Sequence, residues 1–133
     1  MADVPNLYRV ILQVSDLKKA ASFYEKLLGI KGRDIRGARH YFDCGSVILA
    51  LLNPGEEGGG AKPNPDYIYF SVQDLDSIHD RARELGCLSR EKVHNDNAGD
   101  IVKRPWGERS FYVLDPFGNQ LCFVDARTLF SGR

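Results

Sequence analysis

The sequence predicts an α+β protein built from two tandem β-α-β-β-β modules, because one pattern of residues occurs twice along the chain. In each copy an alternating run ends at a valine, an aspartate two residues later can cap a helix, and a glycine ends that helix. The copies lie at 14–29 and 72–86, and a stretch rich in glycine and proline separates them. We therefore expect a single domain, residues 1–133, with module one at 6–53, a linker at 54–65 and module two at 66–127.

The composition narrows the class of protein. A chain of 133 residues, 43% hydrophobic and 27% charged, is ordinary for a globular domain that buries its own core. Eighteen basic residues balance eighteen acidic ones, so we expect no nucleic acid or membrane as a partner. No signal peptide or membrane span is evident. Three cysteines without a CxxC pair argue against a disulfide framework or structural zinc site and predict a cytoplasmic protein.

Module one opens with the alternating run Leu7–Val14, which predicts a half-buried strand with Arg9 on its polar face. Asp16 is positioned to cap a helix that carries an apolar stripe and continues to about Gly29. Three short strands follow, and across the last hairpin we expect Phe42 to oppose Val47. The predicted strands lie at 31–36, 38–43 and 46–52.

Module two repeats this order. Tyr67–Val72 alternates and predicts a strand, and Asp74 is positioned to cap a helix that ends at Gly86. A short strand is expected near Leu88–Val93. The polar residues 94–108 then predict a long loop without regular structure, which is uncommon unless the loop is functional or disordered.

The last hairpin, residues 109–125, is the strongest local prediction. Two runs of aromatic and β-branched residues flank the sequence Asp-Pro-Phe-Gly-Asn, which favours a tight turn. A three-residue loop at 116–118 would place Tyr112 opposite Cys122 and Ser110 opposite Val124. One face is then wholly apolar, whereas the face with Tyr112 and Cys122 is mixed and more typical of a pocket.

Three segments together resemble the vicinal oxygen chelate superfamily, which includes glyoxalase I, extradiol dioxygenases, fosfomycin-modifying enzymes and bleomycin-resistance proteins. They are Arg9–Leu17, Phe23–Ile30 and Phe111–Asn119. The resemblance covers nearly the whole chain and includes the duplicated order of elements. It implies that the two modules form a curled mixed sheet around a central cavity.

In the enzymes of that superfamily the cavity holds a divalent metal, and the resemblance places its four ligand positions on this chain. Histidines would open the first and fifth strands, where this chain has Arg9 and Tyr67, seven residues before each helix-capping aspartate. Glutamates would stand near Ala50 and at Cys122. An arginine, an alanine, a tyrosine and a lone thiol do not suit a divalent ion that prefers oxygen. We therefore expect no metal and no other cofactor, and catalytic residues stay unassigned.

The three histidines offer a way to rebuild a metal site, because a metal needs several donors that converge on one point. His79 is predicted at the surface of the second helix, and His40 on the strand face opposite Tyr41. His94 falls in the polar loop. Solvated or core-edge histidines are the simpler interpretation of all three.

The cavity face is predicted to be polar and aromatic, which suits a planar or partly anionic organic ligand. The alternative is that the tyrosines fill the interior while the arginines pair with Asp43 or Glu108. The tryptophan is equally compatible with a stacking wall over the ligand and with a plug at the sheet edge. The predicted ligand-binding residues are Arg9, Arg39, Tyr41, Tyr67, Tyr69, Trp106, Tyr112 and Cys122.

These expectations favour a metal-free protein similar to the bleomycin-resistance branch, which binds a small aromatic or partly anionic molecule and forms a homodimer. A competing hypothesis is a lyase, isomerase or dioxygenase with a displaced metal site, or acid–base chemistry through Tyr67 or Cys122. A third is a degenerate fold that serves as a partner-binding subunit.

Overall fold

A computed structural model describes residues 3–55 and 60–133, which fall into two compact units, 1–62 and 63–133. In the described part each unit carries one α-helix and one four-stranded mixed sheet, so the predicted α+β class is confirmed. The two sheets are open, rather than one continuous curled sheet. The predicted linker at 54–65 lies partly outside the described residues, and the single-domain assignment stays a prediction.

The first unit has the predicted order of elements. In its sheet the strand order is β1-β4-β3-β2, with β1 parallel to β4 and the other pairs antiparallel. The elements are β1 (Arg9–Gln13), α1 (Leu17–Leu28), β2 (Arg33–Ile35), β3 (Arg39–Cys44) and β4 (Val47–Leu52).

Helix α1 begins and ends where the capping residues predict. An Oδ1 atom of Asp16 accepts a hydrogen bond of 3.0 Å from the amide of Lys19. Gly29 adopts φ +71° in the left-handed region and ends the helix. The apolar stripe between them is buried, namely Ala20, Phe23, Tyr24 and Leu27.

The hairpin between β3 and β4 has a different register from the predicted one. Phe42 pairs with Leu49, whereas Val47 pairs with Cys44 across a two-residue turn. Gly45 in that turn adopts φ +63°, which two-residue hairpin loops require. Because the prediction was wrong by two residues, each side chain stays on its predicted face.

The second unit has more strands than predicted. Its main sheet has the order β5-β10-β9-β8, with β5 parallel to β10, while β6 and β7 form a separate antiparallel pair. The elements are β5 (Ile68–Val72), α2 (Leu75–Glu84), β6 (Lys92–Val93), β7 (Asp96–Asn97), β8 (Val102–Lys103), β9 (Arg109–Leu114) and β10 (Gln120–Asp125).

The residues between α2 and β9 differ from the prediction. The expected strand Leu88–Val93 is not continuous. Leu88 forms an isolated bridge with Val113, and the last two residues form β6, which pairs with β7. The stretch 94–108, expected to lack regular structure, contains β7 and β8. Strands of two residues are too short to show an alternating pattern, which is why the sequence did not reveal them.

The last hairpin forms as predicted. Tyr112 pairs with Cys122 and Ser110 with Val124. At the turn, one carboxylate oxygen of Asp115 accepts hydrogen bonds of 2.8 Å from the amides of Phe117 and Asn119. These bonds satisfy backbone donors that the sheet leaves free, so the turn chemistry fixes the register.

Asn64 attaches the start of the second unit to this hairpin. Its side-chain Oδ1 accepts a hydrogen bond of 2.8 Å from the Gln120 amide, and its Nδ2 donates one of 3.1 Å to the Gln120 carbonyl. The Asn64 amide in turn donates to Oδ1 of Asn119 at 2.9 Å. The side chain thus satisfies both backbone groups of Gln120.

Two structural observations bear on the predictions that the chain has no disulfide framework and no membrane span. The three cysteines, Cys44, Cys87 and Cys122, are free thiols. Neither helix in the described ranges is long and apolar enough to cross a membrane.

Candidate functional site

In the first unit, the predicted ligand-binding residues share one face of the sheet. Arg9 pairs with Ile48 in the parallel register, and Tyr41 and Arg39 pair with Ala50 and Leu52 in the antiparallel one. Paired residues point to the same side of a sheet, and β4 positions two apart do so as well. The alternation of the sequence was therefore sufficient to predict that these side chains share one face.

The register places Arg9, Arg39 and the ion pair of Arg33 with Asp43 on this face. The Arg9 guanidinium lies 5.0 Å from the ring centroid of Tyr8 and 5.9 Å from that of Tyr41. Asp43 pairs with Arg33 at 2.9 Å rather than with Arg9 or Arg39. Among the described residues, neither Arg9 nor Arg39 has a carboxylate within the 4.0 Å of an ion pair. A cation held over tyrosine rings is suited to an acidic or aromatic group.

In the second unit, the mixed face of the last hairpin is largely packed. Tyr112 and Cys122 are 2% and 0% exposed and belong to a buried cluster with Ala98 and Val124. Tyr67 packs against that cluster, with its ring centroid 4.6 Å from that of Tyr112. Within this unit these three residues therefore contribute to the core, and their role in ligand binding stays a prediction.

Burial also sets the chemistry of Cys122. Loss of solvent raises the pKa of its thiol to about 12, although hydrogen bonds with Ser110 and Tyr112 act in the opposite direction. The side chain is therefore a neutral thiol at neutral pH. The nucleophile in cysteine chemistry is the thiolate, so the protonated Cys122 side chain is unreactive.

Arg104 lies against the same cluster and was missed by sequence reasoning. The side chain is 2% exposed, and its Nε and Nη2 donate hydrogen bonds of 3.0 Å to the hydroxyl and carbonyl oxygens of Ser110. Its guanidinium lies 5.0 Å from the ring centroid of Tyr112, while Nη1 has no hydrogen-bond partner in the described part of the chain. No sequence pattern indicates that Arg104 is buried, because it follows a strand of only two residues.

The rest of this face is open. A groove of about 440 Å³ lies beside Tyr69, which is 56% exposed. Its other walls include Ser71, Val124, Leu129 and Phe130, and the carboxylate of Glu108 lines it.

Trp106 is connected to this groove through Glu108. The indole Nε1 donates a hydrogen bond of 2.7 Å to Oε1 of Glu108, and the ring lies edge-on to His94 with centroids 5.1 Å apart. The tryptophan is half-buried. Its predicted alternatives, a stacking wall or a structural plug, both remain compatible with this position.

The two other histidines are engaged in packing. His40 lies on the face opposite Tyr41, as predicted, and is 6% exposed with Nδ1 2.8 Å from a carboxylate oxygen of Asp34. His79 is half-buried, not at the surface as predicted. Its Nε2 lies 2.9 Å from the carbonyl of Gly99, which the sequence did not place beside the helix.

The residues at the four implied ligand positions do not fit a divalent metal. Arg9 is cationic, Ala50 has no donor and Cys122 offers one soft sulfur that is buried in a packed cluster, which leaves only the phenol of Tyr67. Nor do the residues in ranges 3–55 and 60–133 contain a group of three or more His, Cys, Asp or Glu arranged to hold a metal ion.

The fold identifies the structural class to which the chain belongs. The model of the glyoxalase/bleomycin resistance protein/dioxygenase superfamily matches residues 6–123. The chain therefore belongs to this superfamily, as its resemblance to the vicinal oxygen chelate proteins predicted.

The proteins that resemble this chain are named for several different activities. Glutathione transferase FosA of Serratia marcescens is 24% identical over 120 residues, 87% of this chain and 77% of that protein. Oxidase ChaP-H2 superposes with a TM-score of 0.73 and 26% identity over 92% of this chain and 94% of that one. Lactoylglutathione lyase from Agrobacterium tumefaciens has a TM-score of 0.67 and 20% identity, over 95% and 97% of the two chains, and shows the fold alone.

Proposed function

We propose that this protein binds a small aromatic or partly anionic organic molecule without a divalent metal. The observation that carries the proposal is Arg9, a guanidinium without a carboxylate partner among the described residues, at a position where the superfamily's enzymes place a histidine ligand. A permanent cation there repels a metal ion and attracts an anionic group.

The neighbours of Arg9 support an aromatic acid as the ligand. Tyr41 lies on the same sheet face and offers a flat apolar ring beside the guanidinium. Arg39 supplies a second cation on that face. A carboxylate would pair with a guanidinium while its ring packs on tyrosine, so charge and shape are recognised together.

Metal content is the first test. Protein purified without an affinity tag would be analysed by inductively coupled plasma mass spectrometry after growth with nickel, zinc, iron and manganese. We expect much less than one equivalent of any of them. One equivalent that resists dialysis would reject the metal-free proposal and favour the metal-dependent lyase, isomerase or dioxygenase.

Binding is the second test. We would compare 2-naphthoate with its neutral analogue 2-naphthalenemethanol by calorimetry, in the native chain and in Arg9→Gln. We expect the native chain to prefer the acid and Arg9→Gln to lose about tenfold in affinity for it, since a partly desolvated ion pair supplies about 1.4 kcal/mol. Arg36→Gln, which changes another exposed arginine, is the matched control and should bind like the native chain.

We also propose that the protein is a cytoplasmic homodimer that needs neither nucleic acid nor a membrane. Strand β1 is an edge of its sheet and exposes Ile11, and the residues before it expose Leu7 and Tyr8. Exposed apolar side chains along a sheet edge favour association. Sedimentation as a monomer at micromolar concentration would contradict the proposed dimer. The three free cysteines agree with a reducing compartment and so support the proposed cytoplasmic location.

A further inference from the structure

We propose that the groove beside Tyr69 in the second unit binds a small organic cation with an aromatic or apolar body. Its charge is opposite to that of the Arg9 face, so it selects a different chemical group. The proposal does not depend on the ligand of the first sheet.

The shape of the groove fits a small molecule. Its volume of about 440 Å³ lies within the usual range for ligand sites, roughly 300–1,000 Å³. Tyr69 and Phe130 are each 56% exposed and supply aromatic rings, and Leu129 adds an aliphatic wall, also 56% exposed. Buried Val124, at 3% exposure, contributes to the base. Large exposed rings that line one concave surface are unusual for a protein surface without a partner.

The charge of the groove comes from Glu108. Two neutral donors hold its carboxylate: the indole of Trp106 at 2.7 Å and the amide of Phe130 at 2.9 Å. Within the described ranges, no Lys, Arg or His lies within 4.0 Å of it. The carboxylate is thus fixed in position while its negative charge lacks a partner. An ammonium group would supply the missing positive charge and would also interact with the faces of the nearby rings.

The neighbouring arginines are engaged elsewhere. Arg109, the next residue, points its guanidinium to Asp76 at 3.2 Å and to Asp125 at 3.5 Å. Arg104 is 2% exposed and bonds to Ser110, so it does not line the groove. The charge presented to a ligand is therefore negative.

The test uses probes of similar size and different charge. Phenethylammonium, 2-phenylethanol and 3-phenylpropionate share a phenyl ring and differ in the polar end. Binding would be followed by the fluorescence of Trp106, the only tryptophan in the sequence, whose indole bonds to Glu108. We expect the cation to bind about tenfold more tightly than the alcohol, and the anion more weakly than either.

Glu108→Gln is the diagnostic variant, because glutamine removes the charge and still offers an oxygen to one of the two donors. We expect its preference for the cation over the alcohol to fall to about twofold or less. Glu84→Gln makes the same chemical change on the exposed end of α2 and should keep the native preference. Circular dichroism of both variants would establish that they are folded.

Four outcomes would overturn the proposal, three of them in the binding assay and one in sedimentation. One is no binding of phenethylammonium, and another is tighter binding of the anion than of the alcohol. The third is a cation preference that persists in Glu108→Gln. If Phe130→Ala converts a dimer to a monomer in sedimentation, the groove is instead an interface between two copies. A failed cation test leaves the Arg9 proposal standing, since that rests on naphthoate binding and metal content.

Discussion

The carboxylate of Asp125 accepts two hydrogen bonds from one guanidinium, from Nε of Arg127 at 3.0 Å and from its Nη2 at 2.8 Å. Asp125 is the last residue of β10 and only 2% exposed, and Nη1 of Arg109 lies 3.5 Å from the same oxygen that Nη2 of Arg127 contacts. The hydrogen bonds from Arg127 are the main cause that lowers the pKa of Asp125 to about 2.

The first prediction concerns acid stability. A carboxyl group whose pKa is lowered by folding stabilises the native state above its unfolded pKa of 3.8, and this contribution is lost as the pH falls towards about 2. Urea midpoints between neutral pH and acid should therefore fall more steeply for the native chain than for Asp125→Asn. Asp80→Asn, which removes an exposed helical ion pair, is the control. Equal slopes in all three proteins would contradict the prediction.

The second prediction concerns Arg104. Lysine keeps the charge but lacks the planar group that donates to both oxygens of Ser110 and lies over the ring of Tyr112. We expect Arg104→Lys to lower the free energy of unfolding by about 1–3 kcal/mol, the usual effect of losing buried hydrogen bonds. Chemical denaturation would measure it, and Arg90→Lys, at an exposed position, should be close to neutral. A neutral Arg104→Lys would show that the two bonds contribute little.

The third prediction concerns Gly99. A Cβ atom there would lie 2.6 Å from the carbonyl oxygen of Ser89, which is backbone and moves only with the chain. We expect Gly99→Ala to lower the free energy of unfolding by about 1–3 kcal/mol, as overpacking does. Gly45→Ala is the control for backbone strain, because Gly45 has φ +63° with open space around it. We expect Gly45→Ala to lower the free energy of unfolding by about 1 kcal/mol. A smaller loss for Gly99→Ala than for Gly45→Ala would be evidence against the close contact.

The fourth prediction concerns thiol reactivity. Burial raises the pKa of Cys87 to about 11 and that of Cys122 to about 12, and both side chains are buried. Cys44 is half-exposed, and burial raises its pKa as well. With iodoacetamide at mildly alkaline pH, we expect Cys44 to react first and the others only when the chain unfolds. Mass spectrometry of peptides would follow the order, and fast labelling of native Cys122 would refute its burial.

Local chemistry made the last hairpin predictable. The residues of its turn specify a three-residue loop, and from that loop the pairing of Tyr112 with Cys122 follows by counting. The β3–β4 hairpin lacked such a signature. Gly45 gave the position of the turn but not its length, and the predicted register was wrong by two residues.

The environment of the predicted site was harder to foresee. Parity placed Tyr112 and Tyr69 on one face correctly, yet one is buried and the other exposed. The difference comes from the groups packed against Tyr112, namely Ala98, Tyr67 and Arg104. Burial by residues that are distant in the sequence produces no periodic pattern in a short polar segment, so it could not be predicted.

The hydrogen bonds between Asn64 and Gln120 hold the N-terminal end of the second unit against its last hairpin. A side-chain amide there replaces a neighbouring strand, so the amide proton of Gln120 is shielded from exchange with water by a residue 56 positions earlier. Hydrogen–deuterium exchange at this one amide therefore reports whether the N-terminal end of the second unit stays docked on its last hairpin.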